Sequence, residues 1–124
     1  MPLINEYHCT ECEFSGPVGW GYYMYAEADD GERIQCSHPG ERRAAERVIG
    51  EDVSEEEYDA RTGFAYHCVC IDCLEQFDRN PNEDTLRCPN CRSSAVELLV
   101  ELIGNRCPLC RDGLFVVEGT GAMA

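Results

Sequence analysis

The stretch HCVCIDCLEQFDRNPNEDTLRCPNC, residues 67–91, holds two C-x2-C pairs, Cys70/Cys73 and Cys88/Cys91, with 14 residues between them. Zinc is held by four thiolate or imidazole ligands in a tetrahedron, and a C-x2-C turn brings two sulfurs to one ion. The second pair closes a loop too short and polar to build a core of its own. The spacing predicts a four-cysteine structural zinc site from Cys70, Cys73, Cys88 and Cys91. His67 and Cys68 are surplus to that site. On a strand, Cys68 and Cys70 point the same way about 6.5–7 Å apart, so they suit two neighbouring ions better than one. His67 would face the other side.

The chain around this stretch has 124 residues, room for one ordinary domain or two very small ones. It carries ten cysteines. No secretory signal is visible in MPLINEYHC, and the apolar segment Ala95–Ile103 is too short for a membrane span and is broken by Glu97 and Glu101. A cytoplasmic protein without a membrane segment is expected, where thiols stay reduced and meet metal rather than each other. Asp and Glu number 24 against ten basic residues, all arginine, for a formal net charge of −14. So acidic a chain repels phosphate backbones and suits a basic partner or solubility.

Upstream, Cys9-Thr-Glu-Cys12 is followed by an aromatic, glycine-rich insert and then Cys36-Ser-His38. The layout repeats that of residues 67–91, with Tyr7-His8-Cys9 echoed by Tyr66-His67-Cys68. It suggests a site of three cysteines and one histidine from Cys9, Cys12, Cys36 and His38. Tyr22 to Ala26, the turn ADDG and Arg33 to Gln35 read as a hairpin. Pro39 and ERRAAERVI, ended by Gly50, read as a helix. Ser54 with Glu57 forms a capping-box pattern for a short helix over 55–61. The acidic run EDVSEEEYD reads as a solvated connection.

Cys107-Pro-Leu-Cys110 is a third C-x2-C pair beyond those two sites, and RCPLCR (106–111) nearly copies RCPNCR (87–92). The flanking arginines offset the net charge of a thiolate-rich centre. Two partitions stand open. Cys107/Cys110 can join Cys88/Cys91, which a helix over Ala95–Ile103 would oppose by carrying the chain about 13 Å away. Alternatively the pair recruits Cys68 for a third site. SSAVELLVELIG fits either helix or strand, with glutamate content and a Ser94/Glu97 box tilting it toward helix.

The opening MPLINEYHCTECEF, and CIDCLEQF with CPNCRSSAV, resemble the FmdB-type zinc-ribbon proteins, small bacterial or archaeal chains often described as regulators. The resemblance implies zinc binding by Cys9, Cys12, Cys70, Cys73, Cys88 and Cys91. The chain departs from that pattern in Cys36-Ser-His38, in the long insert, in Cys68 and in the 107/110 pair.

The expected fold is therefore a small α+β, metal-stabilised one: tandem zinc-ribbon or treble-clef-like modules with short hairpins and short helices. An N-terminal module with three cysteine ligands, one histidine ligand and a long hairpin insert would occupy 1–50, and an acidic connection 51–63. A C-terminal four-cysteine module with the additional CPLC pair would occupy 64–124. Two zinc ions are expected, three if Cys68 joins Cys107 and Cys110. The expected role is a non-enzymatic, structural zinc-binding protein acting as a macromolecular-interaction or regulatory adaptor with a protein partner, presenting aromatics such as Trp20, Tyr22, Tyr23 and Tyr25. Nucleic-acid binding through arginines such as Arg42, Arg43, Arg47, Arg87, Arg92, Arg106 and Arg111 is the alternative. Thiol redox or zinc-dependent catalysis stands behind both, because no H-E-x-x-H or H-x-E…P-C-x-x-C arrangement occurs.

Overall fold

The computed structural model describes residues 3–123. Its elements run β1 (Leu3–Cys9), β2 (Tyr22–Glu27), β3 (Arg33–Cys36), α1 (Glu41–Ile49), α2 (Glu55–Arg61), β4 (Thr62–Cys70), β5 (Gln76–Arg79), β6 (Val96–Leu98), α3 (Leu99–Leu102) and β7 (Phe115–Met123). The small α+β character expected from the sequence is present. The chain divides into two compact units, one containing the residues up to Gly21 and from Tyr66 onward, the other Tyr22–Ala65. This division differs from the expected halves at 1–50 and 64–124. The first strand groups with the end of the chain, because β1 pairs antiparallel with β7 from Leu3↔Met123 to Cys9↔Phe115.

In the discontinuous unit, β4 pairs antiparallel with β5 (Cys68↔Phe77) and with β6 (Cys68↔Leu98, Cys70↔Val96). Tyr7, Phe14, Val69, Leu99, Leu102 and Phe115 form its core together with Cys9 and Cys107. The ambiguous run after Ser94 resolves into both readings. Val96–Leu98 takes a ladder on β4, and Leu99 and Leu102, three apart on one short turn of helix, turn into the core. The proposed Ser94/Glu97 cap does not form a helix start there. Instead the Ser93 hydroxyl accepts the Ala95 backbone N–H at 3.0 Å.

The unit Tyr22–Ala65 holds the hairpin and two helices anticipated from its sequence. β2 and β3 pair from Met24↔Cys36 to Glu27↔Arg33. The turn closes where the Gly31 N–H reaches the Ala28 carbonyl at 2.9 Å. α1 begins two residues beyond Pro39, with Gly40 as its N-cap, and stops at Gly50, whose N–H returns to the Glu46 carbonyl. Ala45 and Ile49 pack with Ala26, Cys36 and Tyr58 in a small core. At α2 the Ser54 hydroxyl accepts the Glu57 N–H at 3.1 Å. That bond satisfies one of the donors every helix start leaves open. Ser54→Ala is expected to destabilise this unit by about 1 kcal/mol, read as a lower denaturation midpoint with an unchanged slope.

Candidate metal centres

Each C-x2-C segment folds as a tight turn that its own backbone closes. The N–H of the first cysteine reaches a carbonyl five or six residues on: Cys9 to Phe14, Cys70 to Glu75, Cys88 to Ser93 and Cys107 to Gly113, all at 2.9 Å. In three of the turns the residue after the second cysteine is left-handed, Leu74 (φ 66°), Arg92 (φ 64°) and Arg111 (φ 62°). Its N–H returns to the first cysteine's carbonyl at 2.8, 2.9 and 3.0 Å respectively. The chain thus reverses within one turn and leaves both sulfurs on the inside.

Backbone N–H groups also aim at those sulfurs. Glu11 donates to Cys9 Sγ at 3.3 Å, Asn90 to Cys88 Sγ at 3.3 Å, Leu109 to Cys107 Sγ at 3.4 Å and Gly113 to Cys110 Sγ at 3.4 Å. Such donors orient the ligand sulfurs.

Two groups of four result. Cys70, Cys73, Cys88 and Cys91 form the group expected from the sequence. Cys9, Cys12, Cys107 and Cys110 form the other, and within each all sulfurs lie within 4.8 Å of one another. Among the sulfur pairs, Cys9–Cys110 lie 3.7 Å apart, Cys12–Cys107 3.6 Å, Cys70–Cys91 3.5 Å and Cys73–Cys88 3.5 Å. A tetrahedron with metal–sulfur bonds of about 2.3 Å has edges of about 3.8 Å. Disulfides would need about 2.05 Å. The sulfur arrangement therefore fits one tetrahedral ion per group.

Cys36 and His38 belong to neither group. The set of three cysteines and one histidine expected from the sequence is replaced by Cys9 and Cys12 with Cys107 and Cys110, because the β1–β7 ladder carries the first pair to the C-terminal turn. Cys36 is buried, its thiol is pushed up by burial and by Glu41, and it points to the Ile34 carbonyl. His38 Nδ1 lies 2.8 Å from the Glu41 carboxylate near the start of α1. Cys68 is likewise outside both groups. Fully buried on β4, it donates to the Tyr66 carbonyl at 3.3 Å, and burial pushes its thiol up to about 11. Both are small buried hydrophobes in effect. His67 Nδ1 meets the Asp78 carboxylate at 2.7 Å.

The signal for the long-range pairing was the copy itself. CPNC completes CIDC, and its near twin CPLC completes CTEC in the same way.

Without an ion, the crowded thiols hold their protons unevenly. The Phe14 N–H pulls the Cys12 thiol down, but reduced hydration and the Cys9, Cys107 and Cys110 sulfurs outweigh it and push the thiol up to about 12. At Cys91 the Ser93 N–H is likewise outweighed, by Cys70, reduced hydration, Cys73 and Cys88, and the thiol rises to about 12. The Gly113 and Asp112 N–H groups draw Cys110 down to about 7.

Comparison with protein-family models, curated proteins and solved structures finds no match for this chain. Among the described residues, no helix is long and apolar enough to cross a membrane.

Two substitution series check the grouping by native mass spectrometry. Cys107→Ser is expected to lose one ion, whereas Cys68→Ser, Cys36→Ser and His38→Ala retain both. Gly113→Ala places a methyl 2.6 Å from Cys9 Sγ and 2.9 Å from Glu11. It is expected to weaken the ion at Cys9/Cys12/Cys107/Cys110 and leave the other bound, as a competing chelator would reveal.

Proposed function

We propose that the chain is a zinc protein whose two ions are structural and whose work is macromolecular interaction as an adaptor or regulatory module. The observation that carries the structural reading is that each group supplies four cysteine sulfurs to one position. Four thiolates saturate a tetrahedral zinc, whereas a catalytic zinc keeps a position open for water or substrate. The all-sulfur donor set favours zinc over magnesium, calcium or manganese. Zinc-ribbon or treble-clef type remains part of this proposal, as does the kinship with FmdB-type proteins, which rests on the short motifs alone.

The interaction reading draws on exposed apolar side chains. On the metal-bearing unit these include Val18, Leu109, Leu114 and Val117. On the other unit Tyr22 and Phe64 are exposed and meet edge to face, with ring centroids 6.0 Å apart. Tyr25 of the aromatic insert, by contrast, is buried in full. Aromatic and apolar side chains of this kind anchor protein interfaces, and a net charge of −14 favours a basic partner.

Of the arginines named for the nucleic-acid alternative, Arg42 is engaged within the chain, pairing with Glu55 and lying over the Tyr58 ring.

Metal analysis of protein purified without added metal is expected to find two zinc ions per chain, with no steeply salt-dependent binding to single- or double-stranded nucleic acid. Iron in their place would overturn the zinc assignment, and a steep salt slope would favour the alternative. Because Cys12 and Cys91 hold protons to about pH 12 without an ion, each binding event must expel protons. Zinc affinity is therefore expected to rise with pH and to fall on acidification, checked by competition with a chromophoric chelator across pH 5 to 8, on the order of the range where thiolate ligands are reprotonated.

A further inference from the structure

The two groups meet solvent differently. Cys9 and Cys107 are members of the core with Tyr7, Phe14, Leu99 and Phe115, and Cys12 and Cys110 pack against it. In the other group Cys70 and Cys88 are buried, but Cys73 and Cys91 are exposed. None of those four joins a hydrophobic core cluster among the described residues. Each exposed sulfur also has a buried sulfur beside it, Cys88 next to Cys73 and Cys70 next to Cys91, both at 3.5 Å.

We propose that the Cys70/Cys73/Cys88/Cys91 centre is a site of oxidative modification by hydrogen peroxide, which releases its ion while the Cys9/Cys12/Cys107/Cys110 centre keeps its own. The proposal rests on reading both groups as zinc centres. With zinc bound, the sulfurs of both groups are thiolates, so access rather than protonation separates them. An exposed thiolate, Cys73 or Cys91, attacks the peroxide O–O bond and becomes a sulfenic acid as hydroxide leaves. The neighbouring buried thiolate then displaces hydroxide from that sulfur, and an S–S bond forms. Two electrons pass from the sulfurs to the peroxide oxygens, which leave as two waters after taking up two protons from solvent. The ion, left with two thiolates, is released as a divalent cation. Asn90 Nδ2 donates to Cys73 Sγ at 3.6 Å, and Cys73 stays exposed beside it.

The test uses the two-zinc chain treated with a small excess of hydrogen peroxide. Native mass spectrometry and a zinc-responsive dye follow the ions. Alkylation under denaturing conditions, then peptide mapping, locates the disulfide. A species with one zinc and one disulfide is expected to accumulate, with the first ion lost roughly tenfold faster than the second. Its disulfide should join members of the 70/73/88/91 group, with Cys9, Cys12, Cys107 and Cys110 alkylated. Loss of both ions together, or a first disulfide within the 9/12/107/110 group, overturns the proposal and leaves the zinc reading intact. A chain that carries no zinc before peroxide is added overturns the zinc reading, and this site with it.

Discussion

Residues 9–12 and 107–110 are brought to within 3.7 Å, sulfur to sulfur, across nearly the whole length of the chain. Closing a loop of that size costs on the order of 4 kcal/mol in chain entropy. The apolar material available to offset this is slight: one core of six non-cysteine side chains, flanked by strands of which β5 and β6 have only four and three residues. An ion held by the four sulfurs would offset that cost, since metal binding couples to folding. The β1–β7 ladder and the burial of Phe115 accompany that closure. The second group closes a local loop, so an ion there would have less chain to hold.

The left-handed residues fit the same account. Leu74, Arg92 and Arg111 occupy the same place in three separate turns, where a non-glycine residue costs roughly 1–3 kcal/mol. The cost recurs because the turn must reverse quickly enough for the next N–H to reach the first cysteine's carbonyl and for both sulfurs to face inward. The first turn, at Cys9, has no left-handed residue after its second cysteine. It leads instead into Phe14, whose ring packs on Phe115 at 5.6 Å between centroids. Packing of an aromatic there does what backbone reversal does in the other three turns.

Much of this was legible where the determinants are local. The Cys70/Cys73/Cys88/Cys91 group, the hairpin over Tyr22–Cys36, the stop at Gly50 and the Ser54 cap each depend on residues a few positions apart, and each was read from them. The partner of Cys9 and Cys12 was not, because Cys36-Ser-His38 lies nearer in sequence and imitates a ligand pair. Spacing alone cannot weigh a nearby imitation against a complete C-x2-C pair about a hundred residues away. The near identity of RCPNCR and RCPLCR was the better guide, since two similar turns are best explained by two similar tasks. Val96–Leu98 resisted assignment for a related reason: its pattern admitted both strand and helix and tilted toward helix, and the ladder offered by β4 made it a strand.

The insert between β1 and β4 sharpens what the cysteine groups do and do not hold. The chain leaves the unit that contains both groups at Gly21 and re-enters it at Tyr66, and there the His67 N–H donates to the Gly21 carbonyl at 2.9 Å. A segment whose two ends already meet adds little closure cost as it lengthens, since each doubling adds only about 0.6 kcal/mol. The 22–65 unit also has a core of its own around Ala26, Cys36, Ala45, Ile49 and Tyr58. No cysteine or histidine within it enters either metal group. Cys36, which the sequence offered as a ligand, serves that core instead, and the burial that raises its thiol also suits it to stay uncharged. Cys36 in this unit and Cys68 in the other thus take packing duty, and the cysteine count alone could not separate them from the eight grouped cysteines.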